Sequence, residues 1–127
     1  MSHILVIDDD DQVRGLLKRM LERTGYAVAE AENGKVGLER HRAEPAILII
    51  TDIVMPEMEG LETIQELRRK SPETKIIAIS GGGFSQPGNY LTLASHFGAH
   101  RVLPKPIERE VLLGAVRELI GEPDALA

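Results

Sequence analysis

The sequence contains no cysteine, which excludes disulfides and thiolate metal sites and agrees with a reducing compartment. Aromatic residues are scarce as well, Tyr26, Phe84, Tyr90 and Phe97 being the rings of the whole chain. With a formal net charge of -5 there is neither the basic stripe nor the stacking platform of a nucleic-acid surface, and "RRK" at 68–70 reads as a solvated helix face. No apolar run approaches the roughly 20 residues that cross a bilayer. The opening "MSHILVIDD" lacks the pattern of a signal peptide, because four apolar residues run straight into aspartates. Together these absences predict a cytoplasmic protein that touches neither nucleic acid nor membrane directly.

What is present fits one domain, since 127 residues suffice for a single core and no more. Short, mostly β-branched clusters recur at near-regular intervals and read as strands: "ILVI" at 4–7, "AVAEA" at 27–31, "AILII" at 46–50, "KIIAI" at 75–79 and "HRVLP" at 100–104. Between them lie segments of helical spacing. The first carries Val13, Leu16, Leu17, Met20 and Leu21 at i, i+3, i+4, i+7 and i+8, starts from an Asp10 or Asp11 cap and ends at Gly25. Further helices are predicted over 34–42, 61–70, 89–97 and 107–120, the last with Val111, Leu112, Ala115 and Leu119 as its apolar positions. Strands alternating with helices imply a parallel sheet with helices on both faces, and a ligand site at the carboxyl ends of the strands.

Those ends carry an unusual set of groups. Asp8 and Asp9 follow the first strand, Asp52 the third, Ser80 the fourth and Lys105 the fifth. Taken singly, each passes as a turn former or a solvated tip; their joint occurrence on one edge is harder to dismiss. Three converging carboxylates without a counter-charge would push one pKa up, whereas a divalent cation lets all three ionise. Oxygen ligands, too few for a calcium cage, suit Mg2+. His96 and His100 have i,i+4 spacing but no accompanying glutamate, so zinc is not indicated. A carboxylate nucleophile, a cation, a lysine and a hydroxyl are the parts of a phosphoryl-transfer site, with Asp52 the best-placed acceptor because it follows the central buried strand.

At this point the chain resembles the receiver (phosphoacceptor) domain of two-component response regulators, of the stand-alone type. The resemblance runs from "ILVIDDD" through "RGLLKRMLERTGYAVAEAENG", "TDIVMPEMEG", "IIAIS" and "GAHRVLPKPI" to about residue 119. It implies a flavodoxin-like (βα)5 fold, a doubly wound sandwich on a five-stranded parallel sheet of order 2-1-3-4-5. It also implies that Asp8, Asp9, Asp52 and the backbone carbonyl of Val54 hold Mg2+, that Asp52 is phosphorylated, that Ser80 is the switch hydroxyl and that Lys105 pairs with the phosphoryl group. A cis Lys105–Pro106 peptide and a tight turn at Gly60 belong to the same pattern, while Asp10 and Asp11 read as helix-start residues.

Three features depart from the family pattern. Val102 stands three positions before the lysine where an aromatic is usual, which puts a ring-coupled readout in doubt. The stretch after Ser80, "GGGFSQPGN", is glycine-rich, and Phe84 or Tyr90 is a candidate for the missing ring. Val54 and Gly82, two positions after Asp52 and Ser80, cannot position a water, so unaided loss of the phosphoryl group should be slow.

The expected division is a receiver over 1–120 and a tail over 121–127, with no output domain. The protein would accept a phosphoryl group from a histidine kinase or phosphotransfer protein and act on a separate protein target, or pass the group on in a phosphorelay. It would be a self-phosphorylating and self-dephosphorylating switch, not a turnover enzyme. A homodimer through the last two helices is left open. From other classes, a phosphohydrolase would want a second acid at position 54, and a nucleotide- or flavin-binding module has only "SGGGFSQPG" in its favour.

Overall fold

Apolar residues in the central strands have nowhere to go but inward on both sides, and the structure, a computed structural model, shows how they do so. It describes residues 2–53, 60–80 and 98–123. In chain order these form β1 (Ile4–Ile7), α1 (Asp11–Thr24), β2 (Val28–Ala31), α2 (Gly34–Ala43), β3 (Leu48–Asp52), α3 (Gly60–Lys70), β4 (Lys75–Ser80), β5 (Arg101–Pro104) and α4 (Arg109–Ile120). The five strands make one parallel sheet in the order β2-β1-β3-β4-β5, as expected. The helix expected over 89–97 lies outside the described residues.

Successive side chains of a strand point to opposite faces, so each central strand feeds two cores. Ile4, Val6, Leu48, Ile50, Ile77 and Ile79 pack with Leu17 and Leu21 of α1 and Leu112, Leu113 and Val116 of α4. On the other face Leu5, Ile7, Ile49, Ile53, Ile76 and Ala78 pack with Ile64 and Leu67 of α3. Every residue of β1 and β3 is buried, which explains their unbroken apolar runs. β2, at an edge, is only half-buried.

Helix ends follow their local chemistry. Asp10 caps α1, its carboxylate accepting from the N–H groups of Gln12 (2.9 Å) and Val13 (3.2 Å). At the other end Gly25 sits at φ 114°, where its N–H bonds the Glu22 carbonyl while that of Tyr26 bonds Leu21, a Schellman closure. Two helices bury a narrower stripe than their spacing suggests. Leu16 is 42% exposed and Val111 48% exposed, because the sheet covers only the arcs centred on Leu17 and Leu21 and on Leu112 and Val116. Strand β3 also runs two residues further than its apolar run, taking Asp52 into the strand.

Candidate functional site

Parallel strands bring their carboxyl ends to one edge, and the register fixes which residues meet there. Asp8 follows β1, its N–H bonded to the Ala31 carbonyl of β2 at 3.1 Å. Asp52 closes β3, in register with Ile79 of β4, and Ser80 closes β4 opposite Pro104. Lys105 follows β5 at once, and the Lys105–Pro106 peptide is cis. The backbone of Ser80 is placed, but its side chain is not among what the structure describes. Val54, expected to offer its carbonyl, lies outside the described residues, as do Gly82, Phe84 and Tyr90.

Asp8, Asp9 and Asp52 each bring a carboxylate oxygen within 4.8 Å of the others. Asp8 is 0% exposed and Asp52 5%, whereas Asp9 is open to solvent. Lys105 reaches into this group: its Nζ donates to Asp52 Oδ2 at 3.0 Å and lies 3.2 Å from Asp8 Oδ2. Among the described residues, one ammonium thus pairs with two of the three clustered carboxyl groups, Asp8 and Asp52.

The ionisation pattern follows from that imbalance. Burial pushes the Asp8 carboxyl up from its ordinary value, and the nearby Asp52 charge adds to the effect; the Asp10 N–H on Asp8 Oδ1 (2.9 Å) and the Lys105 charge offset it in part. For Lys105, burial acts to lower the pKa, but the hydrogen bond and charge of Asp52 together with Asp8 outweigh it, so the ammonium is held more firmly protonated than usual. Among the described residues no hydrogen bond to the buried Asp8 Oδ2 is made, and the Lys105 ammonium lies 3.2 Å away as its ion-pair partner. An unfilled, buried carboxylate oxygen beside two further carboxylates is a donor set that fits a hard divalent cation such as Mg2+.

The scaffold around Asp52 is tight. A Cβ at Gly60, the first residue of α3, would lie 2.1 Å from the Asp52 carbonyl oxygen and 2.1 Å from Ile53 Cα, so only glycine lets α3 start here. The Gly60 N–H bonds the Ile53 carbonyl at 3.0 Å, and the buried Thr51 hydroxyl donates to the Asp52 carbonyl at 3.0 Å. Val102 of β5 is half-buried against the α3 side of the sheet, so no ring stands at that position.

One residue beside the site has no counterpart in the sequence-based expectation. Arg14 donates from Nη1 to the Asp8 carbonyl at 2.7 Å, and also pairs with Asp11 and Glu30. The only trace of it in the sequence is the opposite charge of Asp11 and Arg14 at i,i+3.

The family model for the response regulator receiver domain matches residues 4–117. The chain is 42% identical over 81 residues to the response regulator receiver protein CpdR of Brucella abortus, covering 64% of this chain and 68% of CpdR. It is 31% identical over 123 residues to the chemotaxis protein CheY of Bacillus subtilis, covering 95% of this chain and 100% of CheY. Other relatives are far longer: the chain spans 13% of the sensor kinase CckA of Brucella abortus. The crystal structure of a response regulator receiver domain protein from Clostridium thermocellum superposes with a TM-score of 0.85 at 29% identity, covering 100% of both chains.

Proposed function

The chain belongs to the response regulator receiver domain family, and from that premise we propose that Asp52 accepts a phosphoryl group from a histidine kinase or phosphotransfer protein. An Asp52 carboxylate oxygen attacks phosphorus, the new O–P bond replaces the P–N bond to the donor imidazole, and the released electron pair stays on that nitrogen. Asp8, Asp9 and Asp52 would hold Mg2+, with the Val54 carbonyl as a further donor. When bound, the ion supplies positive charge to the phosphoryl oxygens and lets the carboxylates stay ionised together.

Lys105 holds the Asp52 carboxylate in place before transfer and offers its ammonium to the phosphoryl oxygens afterwards. Ser80, at the end of the neighbouring strand, supplies a hydroxyl to the same group. Consequences for a partner protein then arise from this edge of the sheet, in the cytoplasm, without the aromatic readout that Val102 cannot provide. The protein is on this reading a switch and not a turnover enzyme.

The observation that carries the proposal is the convergence of three carboxylates within 4.8 Å with Lys105 bonded to the buried Asp52. Its test is intact-protein mass after incubation with a small phosphodonor, with and without Mg2+, for the wild type and Asp52→Asn. A gain of one phosphoryl group that needs Mg2+ and is absent in the variant is expected. A gain that persists in Asp52→Asn, or no gain in the folded wild type, would overturn it.

A further inference from the structure

Two aspartates in a row can face the same cation only if the peptide between them is turned correctly. A peptide unit is planar, so the direction of the Asp8 carbonyl also sets where the Cα of Asp9 lies. That carbonyl is held by Arg14 Nη1 at 2.7 Å. The guanidinium is in turn fixed from two sides. Nη2 pairs with Asp11 Oδ1 at 2.5 Å, one helical turn away, and Nε with Glu30 Oε1 of β2 at 3.3 Å. The side chain is 15% exposed, so this is a docked group and not a solvated one. The Asp8 N–H is meanwhile bonded to Ala31 of β2, and the Asp8 carboxylate to the Asp10 N–H. The turn from β1 into α1 is therefore clamped from β2 and from its own helix, with Arg14 holding the peptide before Asp9 and the Asp8 carboxylate the peptide after it.

We propose that Arg14 is a positioning residue for the divalent-cation site: by fixing the Asp8–Asp9 peptide plane against Glu30 of β2, it keeps the solvent-exposed Asp9 carboxylate converged on Asp8 and Asp52. The inference rests on the reading of that cluster as a Mg2+ site. Simple electrostatics predicts the opposite sign. A cation beside a cation site repels the ion, so deleting Arg14 for its charge alone would tighten Mg2+ binding. Deleting it as a positioning residue loosens binding. Lys18, whose ammonium also pairs with Glu30 at 3.3 Å but makes no bond to the Asp8 carbonyl, separates the two effects.

The experiment is calorimetric titration of the unphosphorylated full chain with Mg2+, for wild type, Arg14→Ala, Arg14→Met, Arg14→Lys, Glu30→Ala and Lys18→Ala. Arg14→Ala is expected to weaken binding about tenfold, the low end of the effect of outer-shell partners on metal affinity. Arg14→Lys should recover part of that loss, since one ammonium reaches the carbonyl but cannot also bridge to Glu30. Glu30→Ala should also weaken binding, although loss of its carboxylate acts in that direction too; Arg14→Met, which removes the charge but keeps the volume of the stem, therefore carries the test if Arg14→Ala does not fold. Lys18→Ala should not weaken binding.

In phosphorylation with a small donor, the Mg2+ concentration for half-maximal rate should rise in Arg14→Ala while the rate at saturating Mg2+ changes less than about twofold. Unchanged or tighter Mg2+ binding in Arg14→Ala, or in Arg14→Met where Arg14→Ala does not fold, would overturn the proposal, as would a wild type that binds no Mg2+. A wild type that binds Mg2+ but takes no phosphoryl group would overturn the phosphoacceptor reading alone, and the Arg14 series would still decide this one.

Discussion

Replacing Lys105 by Met keeps most of the stem's apolar volume and removes the ammonium that two buried carboxylates face. That ammonium stands 3.0 Å from Asp52 and 3.2 Å from Asp8, on a side chain that is 18% exposed. At an effective dielectric of 20, each such pair is worth about 5 kcal/mol of bare attraction, from which the ammonium's own desolvation must be subtracted. Breaking a fully buried pair by deleting one partner costs about 3–5 kcal/mol. Here the rim is partly open and Asp8 has an escape by taking up a proton, so about 2–3 kcal/mol at neutral pH is the expectation. For a domain of this size that lowers Tm by about 6–15 °C.

The pH dependence identifies the cause. Asp8 already has a folded pKa above its ordinary 3.8 because it is buried, and losing Lys105 raises it further. A group with a raised folded pKa binds more protons in the folded than in the unfolded state, so its stabilising contribution is complete at low pH and lost as pH rises through the folded value. The variant's deficit should thus be largest near about pH 7 and smaller near about pH 5. Millimolar Mg2+, which supplies the missing charge, should narrow it as well. Urea unfolding of both proteins at the two pH values, with Mg2+ or with chelator, measures all of this. An equal deficit under every condition would refute the reasoning, because the loss would then not follow the charge on the carboxylates that Lys105 is argued to balance.

How far the sequence alone reaches depends on the kind of interaction. β1 and β3 are legible because a strand buried on both faces leaves no polar alternation to misread, and their carboxyl ends therefore located Asp8 and Asp52. Asp10 is legible as a cap because the short carboxylate answers a local need of the backbone. The exposure of Leu16 and Val111 is not legible, since helical spacing defines a stripe but not how much of it the neighbouring sheet covers. Arg14 escapes for a deeper reason. Its partner at the site is a backbone carbonyl, which every residue possesses, and its second anchor, Glu30, is sixteen residues away on a strand whose place beside β1 is a property of the fold. Sequence patterns report side chains that need a chemistry; they are silent on side chains that hold a peptide still.

Gly60→Ala should cost at least about 2 kcal/mol and slow phosphorylation of Asp52, because the new methyl would meet three backbone atoms of Asp52 and Ile53, none able to rotate away; unfolding and phosphorylation rates close to wild type would show that α3 starts more loosely than the structure indicates. A second expectation concerns His41, buried at the far end of the sheet from the site. Its Nδ1 accepts the Ala46 N–H at 3.0 Å, so the neutral ring carries its proton on Nε2, facing the Ser71 hydroxyl at 3.1 Å. Protonating Nδ1 would set two donors against each other. Burial lowers the His41 pKa from 6.5, the charge of His3 acts in the same direction and that of Glu73 opposes them. With a lowered folded pKa the unfolded chain binds more protons, so stability is present above 6.5 and lost as pH falls through the folded value. His41→Gln removes that titration, and its stability should therefore fall less steeply than the wild type's between about pH 7 and about pH 5, by up to about 1.4 kcal/mol per pH unit. Parallel curves would mean that the Ala46 and Ser71 hydrogen bonds survive protonation, and that the ring is held by packing against its neighbours and not by its tautomer.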